Sequence, residues 1–466
     1  MLIFTVRCVT IALVINLIGC TGAAQDAVKV QPIYDASPSH LWNRVHAALL
    51  CRVGPDGKTY GEDRLEPLLW MHSEHLLRGK SFENAVAVLD EFDREGGESL
   101  IETPIKKAIL QRDLWLVATW LTQKPDTEEK QRLQSALAKV IRRLALSSEQ
   151  IEKLPDNYTS TVAAKVFSSR FDTWQPERSY LPAQVFDPEG PWVCIGRGDG
   201  LIAPQHLRED SSSPFTNSVF LIFLKLSSTR VKTLQFLTEL ETFKQPYLVD
   251  NPNPSPGGMR GQSHPRLPNA ALPKWPKGTE VALVRRALLI NTNGKIVASP
   301  ITESLQLRVM RTNTPEPSAA MFNIENARGN WAFFEFQFRR TDLLGPSPIG
   351  LRDVSGDRDF KTGFMSHPSD GFDEPSQPSK PFPLGSQPFQ NNRASCIGCH
   401  QLPGLYSFNS LAGFQFGRLR NSRDKNAQKI GPFQFKTASI PEIEAAVVQW
   451  KETQASWKQF GVIVNQ

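Results

Sequence analysis

Five residues constrain this chain more than its bulk composition does: Cys396-Ile397-Gly398-Cys399-His400. Two thiols three positions apart, followed at once by an imidazole, make a compact set of nucleophiles and soft ligands. Half of a zinc site would need a second cysteine pair, and none lies elsewhere after residue 20. A redox dithiol of the thioredoxin kind would sit where a strand runs into a helix, and the flanking sequence shows no evident unit of that type. The first reading is therefore attachment of a group through both sulfurs, with the dithiol and the zinc site as lesser readings.

The other end of the chain carries an address. Arg7 precedes an apolar run over residues 9–18, interrupted by Asn16. That run is too short to span a bilayer comfortably and has the length of a signal-peptide core. It ends in Leu17-Ile18-Gly19-Cys20, which resembles the lipobox of bacterial lipoproteins. The resemblance implies cleavage before Cys20, diacylglycerol on its sulfur and an acylated new N-terminus, and two or three acyl chains anchor stably where one does not. An uncleaved anchor or a simple signal peptide is the alternative. Thr21, rather than an aspartate, follows the cysteine, which points to the outer membrane of a two-membrane cell, on its periplasmic side.

The spacing of Cys396, Cys399 and His400 resembles the attachment motif of c-type cytochromes. The resemblance implies one haem c, held by thioethers at Cys396 and Cys399 with His400 as proximal iron ligand, and electron transfer with a redox partner protein. Haem is attached to this family outside the cytoplasm, so this motif and the lipobox support one another. The run Leu110-Gln111-Arg112-Asp113-Leu114-Trp115 upstream of a C-terminal motif is similar to that of bacterial multidomain cytochromes, a likeness that implies no substrate. One departure matters. Small electron carriers of the family take a second axial Met or His from beyond the motif, and residues 401–466 contain neither. Met365 or His367 is the nearest upstream distal ligand, with Met259, His264, Met310 and Met321 further away. A weaker ligand such as Tyr406 or a lysine is a second option. An open iron face is the third, and it would suit a peroxidase-like haem enzyme or a gas sensor. No residue can be given a catalytic acid–base role from the sequence.

The remaining cysteines follow from this. Cys8 leaves with the signal, and Cys51 and Cys194 remain. An exported location permits a disulfide between them, while their apolar surroundings fit a buried free thiol at each. A net charge of +6 over 466 residues, without a basic stripe interleaved with aromatics, gives no reason to expect a nucleic-acid partner. The pair His72 and His75 lacks the separation of four found on two-histidine zinc helices, and reads as ordinary helix residues.

The fold class expected is multidomain α+β. After a signal peptide (1–19) and a tether (20–38), a helical domain spans 39–183. Its helices are read at 41–49 with Ser39 as cap, 65–77, 82–94 with Ser81 as cap, 104–121, 127–144 and near Ser148. Thr103-Pro104 sets the start of the fourth, whose apolar side carries Ile109, Leu110, Leu114, Val117 and Leu121. A central α+β domain with an antiparallel sheet spans 184–344. It contains a buried strand at 219–224, a helix opened by Ser227 or Ser228, and a hairpin turning on Asn291-Thr292-Asn293-Gly294. Phe334, Phe336 and Phe338 alternate with polar residues as in a half-buried strand. Residues 251–278 hold seven of the 35 prolines and read as a loop. A Pro/Gly/Ser-rich linker spans 345–392. A mainly α, cytochrome c-like haem domain spans 393–466 and ends in a helix at 441–460.

Overall fold

Asn291-Thr292-Asn293-Gly294 forms the turn its composition announces. Asn291 Oδ1 accepts from the backbone N–H of Asn293 and Lys295, and Gly294 takes a φ of 68° that a side chain would resist. The turn joins β7 (Glu280–Ile290) to β8 (Ile296–Met310), the longest pair of an antiparallel sheet. Strand β8 is a single strand of 15 residues. The computed structural model describes residues 30–53, 59–63, 74–197, 217–227, 229–243, 245, 248–250, 266–271, 273–312, 331–345, 350–355, 364–366, 373–375 and 435–465.

The helices start and stop on local chemistry. They are α1 (Leu41–Leu50), α2 (Gly79–Arg94), α3 (Pro104–Thr122), α4 (Glu128–Arg143), α5 (Ser148–Glu152) and α6 (Asn157–Ala163). Thr127 caps α4 by accepting from Lys130 N–H, and Ser147 with Gln150 closes a capping box on α5. Gly96, left-handed at φ 64°, follows the end of α2. The caps of α1 and α2 differ from expectation: His40, not Ser39, accepts from Trp42 N–H, and α2 begins before Ser81. Of the helix read at 65–77, residues 64–73 lie outside the described residues, and His75–Leu77 form a single tight turn.

Seven strands make the main sheet. Besides β7 and β8 these are β3 (Val193–Arg197), β4 (Ser218–Lys225), β9 (Trp331–Gln337), β10 (Arg352–Asp353) and β13 (Phe435–Thr437), in the order β10-β9-β8-β7-β4-β3-β13. Every pairing is antiparallel. Short two-stranded pieces are β1 (Arg52–Val53) with β2 (Thr59–Tyr60), β5 (Leu248–Asp250) with β6 (Arg266–Pro268), and β11 (Phe364–Ser366) with β12 (Asp373–Pro375). The stretch read wholly as loop over 251–278 thus contributes β6. Strand β9 is buried along its whole length, Glu335 and Gln337 included, so it is a covered strand rather than a half-buried one.

The helical part and the sheet share one apolar core. Asn157 of α6 reads the backbone of β8, donating to Thr302 C=O at 2.8 Å and accepting from its N–H at 2.7 Å. Helix α3 packs on β7, and α5 and α6 pack on β8. The boundary expected at 183/184 therefore separates no cores.

Three other boundaries move as well. Within the expected tether, Ile33 and Tyr34 are buried, their N–H groups donating to Asn43 Oδ1. Within the expected linker, β10 pairs with β9, and Leu351 N–H donates to Thr161 Oγ1. The terminal helix read at 441–460 is two helices, α9 (Ile440–Thr453) and α10 (Ala455–Asn465). Both pack into this same body: α9 on β4 and β8, α10 on α3 and α4, with Trp457 edge-on to Trp115 at 5.7 Å. Residues 435–465 thus pack into the α+β body. The remaining elements are α7 (Arg230–Thr242), capped by Thr229 one residue after the expected serines, and α8 (Arg340–Leu344).

Candidate functional site

Most residues that carry the expected chemistry fall outside the described residues: Cys20, His367, Cys396, Cys399 and His400. Met365 is on β11, its backbone opposite Glu374 of β12. Cys51 and Cys194 are free thiols, which corrects the expectation that they could be bridged. Cys51 follows α1 in the helical layer, with its Sγ 3.6 Å from His46 Nδ1. Cys194 sits on β3, opposite Phe223, where burial pushes its thiol up to about 12. Such a thiol is protonated and unreactive at neutral pH. Among the described residues no group of His, Cys, Asp and Glu could hold a metal ion.

The topology still locates the motif within the chain. The chain leaves the main sheet at β10, one edge, and returns at β13, the opposite edge. Six inter-strand spacings separate these edges, about 29 Å. Cys396 to His400 lie in the stretch 376–434 between β12 and β13. The motif thus lies, in sequence, between strands at the two edges of one sheet.

The described residues bring together a different cluster, centred on the Gln111-Arg112-Asp113 run of α3. All three are buried, although the apolar periodicity assigns them to the solvent side of an amphipathic helix. Gln111 donates to Ile290 C=O at 2.8 Å and accepts from Ile290 N–H at 3.0 Å, closing the end of β7. Arg112 Nε donates to Glu303 Oε1 at 2.5 Å. The other oxygen of Glu303 accepts from Ser218 Oγ at 2.5 Å and lies 3.3 Å from Arg285 Nε. Asp113 accepts from Arg340 Nε at 2.7 Å, from Tyr34 O–H at 3.4 Å and from Arg112 at 3.4 Å. One helix is thereby tied to the N-terminal arm, to three strands or strand ends, and to α8.

The electrostatics of this cluster are those of a sealed ion network. Burial opposes ionisation of Asp113, but Arg340, joined by Arg112, outweighs it and holds the carboxyl below its usual range. Burial raises the Tyr34 hydroxyl well above its usual range, and the neighbouring Asp113 raises it further. Burial, with Arg340 adding to it, lowers His46 to about 3, so the imidazole is neutral, and its Nε2 has no hydrogen-bond partner. Cys51, beside His46, is buried as well, so among the described residues this cluster presents no open face to a substrate. Its chemistry is positional: it fixes the helical layer against the sheet. The sequence offered a signal, since two adjacent opposite charges inside an apolar run are costly unless both are paired.

Comparison with known proteins gives no further guide: no family profile matches the chain, and no curated protein or solved structure is significantly similar to it.

Proposed function

We propose that this chain is an exported, lipid-anchored, monohaem c-type cytochrome that passes electrons to or from a redox partner at a membrane surface. The observation that carries the reading is the agreement of two independent motifs: the lipobox ending in Cys20, and Cys396-Ile397-Gly398-Cys399-His400. The donor set suits haem c: Cys396 and Cys399 supply the two thiols for thioether bonds, and His400 supplies an imidazole for one axial position. When bound, haem c supplies a one-electron couple. Cys396 and Cys399 would hold it covalently, and His400 would ligate its iron.

That second ligand decides between carrier and alternative. Met365 or His367 as sixth ligand closes the iron and gives an outer-sphere carrier. The absence of any Met or His over 401–466 favours one specific second reading, a peroxidase-like haem enzyme or gas sensor with an open distal face. Both readings require covalent attachment. Expression in a host that matures haem c, followed by denaturing electrophoresis and a haem stain, tests it. Wild-type protein retains haem colour through denaturation, and the double variant Cys396→Ala/Cys399→Ala loses it. A wild-type chain without covalent haem in a competent host overturns the proposal.

A further inference from the structure

One described tryptophan stands apart from the rest. Trp174 is 93% exposed, whereas the other tryptophans among the described residues are buried or half-buried. It lies on the connection between α6 and Tyr180, and that connection is pinned rather than loose. Phe167 packs edge-on against Phe336 of β9 at 4.9 Å, and Phe171 contacts Phe334 at 6.2 Å and Tyr180 at 5.7 Å. Leu181 N–H donates to Ser168 C=O at 2.7 Å, and Asp172 Oδ1 accepts from Trp174 N–H at 2.8 Å. The loop therefore holds its indole out in water on two half-buried aromatic roots. Keeping so large an apolar surface wet forgoes a few kcal/mol of burial, on the order of 25 cal/mol per Å².

The surroundings of Trp174 indicate what would cover it. Val166, on the same loop, is 54% exposed, and the loop also carries exposed Lys165, Arg170 and Arg178 against Asp172 and Glu177. An indole beside an aliphatic residue and three cations suits the headgroup region of a bilayer carrying anionic lipid. Chain length favours the same partner. The link from Cys20 to the first described residue, Val30, spans at most about 35 Å. The loop's roots contact β9 at Phe334 and Phe336, within about 20 Å of Arg340 along the strand. Arg340 in turn shares Asp113 with Tyr34, near the start of the body.

We propose that the loop over 165–178 is a membrane-contact element, with Trp174 seated at the lipid headgroup level and the cations on anionic lipid. The inference rests on the reading of Cys20 as a lipid anchor. It is tested with the full-length lipidated protein in vesicles of phosphatidylethanolamine and phosphatidylglycerol carrying brominated acyl chains. Tryptophan fluorescence is expected to be quenched relative to non-brominated vesicles. Trp174→Phe is expected to lose most of that quenching, and Trp275→Phe, which removes a buried indole, to keep it. Equal quenching in wild type and Trp174→Phe, with acrylamide reaching Trp174 as readily with vesicles as without, overturns the inference and leaves the loop to water or a protein partner. The anchor is read separately, by the mass of the Cys20 peptide. An unacylated chain still quenched through Trp174 on anionic vesicles fails the anchor and keeps the loop; an acylated, unquenched chain fails the loop alone. Trp174 makes no core contact, so circular dichroism of the variant should match wild type.

Discussion

Two short polar runs, Arg112-Asp113 and Cys396 to His400, concentrate the reactive side-chain types of this chain. The first lies in the middle of a helix buried on every side, each charge met by a partner from another element. The second lies in sequence between β12 and β13, outside the described residues. The contrast shows that a charged pair can be the more conspicuous feature of a body and still be its fastening. Stability and cofactor binding should therefore separate by mutation.

The sharpest way to break this comparison is Asp113→Ala. Removing the carboxylate leaves Arg340 and Arg112 buried beside apolar neighbours, at a cost of about 3–5 kcal/mol in unfolding free energy. Urea denaturation reads this, and haem per folded molecule should stay at the wild-type value. A loss below about 1 kcal/mol would mean that the cluster is wet and weakly coupled.

The pH dependence gives the next largest effect. His46 is held near 3 in the fold against an ordinary value of about 6.5, so the unfolded chain binds more protons between those limits. Stability is fully present above about pH 6.5 and declines by roughly 1 kcal/mol per pH unit as pH falls towards 3. Asp113 acts in the same direction at lower pH: its folded value is depressed, so its contribution is lost as pH drops from the ordinary carboxylate range through that value. Denaturation midpoints of wild type and His46→Leu, measured from pH 7 to pH 4, should converge as the pH falls. Parallel curves would contradict a buried neutral imidazole.

Smaller effects sharpen the contrast. Ser147→Ala removes one half of the α5 capping box and should cost about 1 kcal/mol. Cys399→Ala should abolish the second thioether while leaving the unfolding free energy of the body within about 0.5 kcal/mol of wild type. A large loss of body stability in Cys399→Ala would show that the stretch between β12 and β13 helps to hold the sheet together.

Much of the architecture could be read from local chemistry, and the misses have identifiable physical causes. Thr103-Pro104, Thr127 and the Asn291–Gly294 turn act through neighbours a few residues away, so their elements begin and end close to where the sequence places them. The burial of Gln111, Arg112 and Asp113 depends on Ile290, Glu303 and Arg340, partners far along the chain that apolar periodicity does not register. The same applies to residues 435–465. Their closeness in sequence to Cys399 suggested a haem domain, whereas Thr437 pairs with Ile195 and Trp457 meets Trp115. Of the candidate site, the thiol and imidazole spacing was legible without any fold. The distal ligand was not, because it depends on which distant residue the fold brings to the iron.

The most direct measurement is the optical and EPR spectrum of the mature protein, made in a host that attaches haem c, with and without carbon monoxide. The account predicts covalent haem with a low-spin iron that ignores carbon monoxide, and loss of the low-spin signal in either Met365→Ala or His367→Ala. A high-spin iron that binds carbon monoxide readily would replace the carrier with the open-site enzyme or sensor. A chain that emerges from competent maturation with no covalent haem would contradict the central claim.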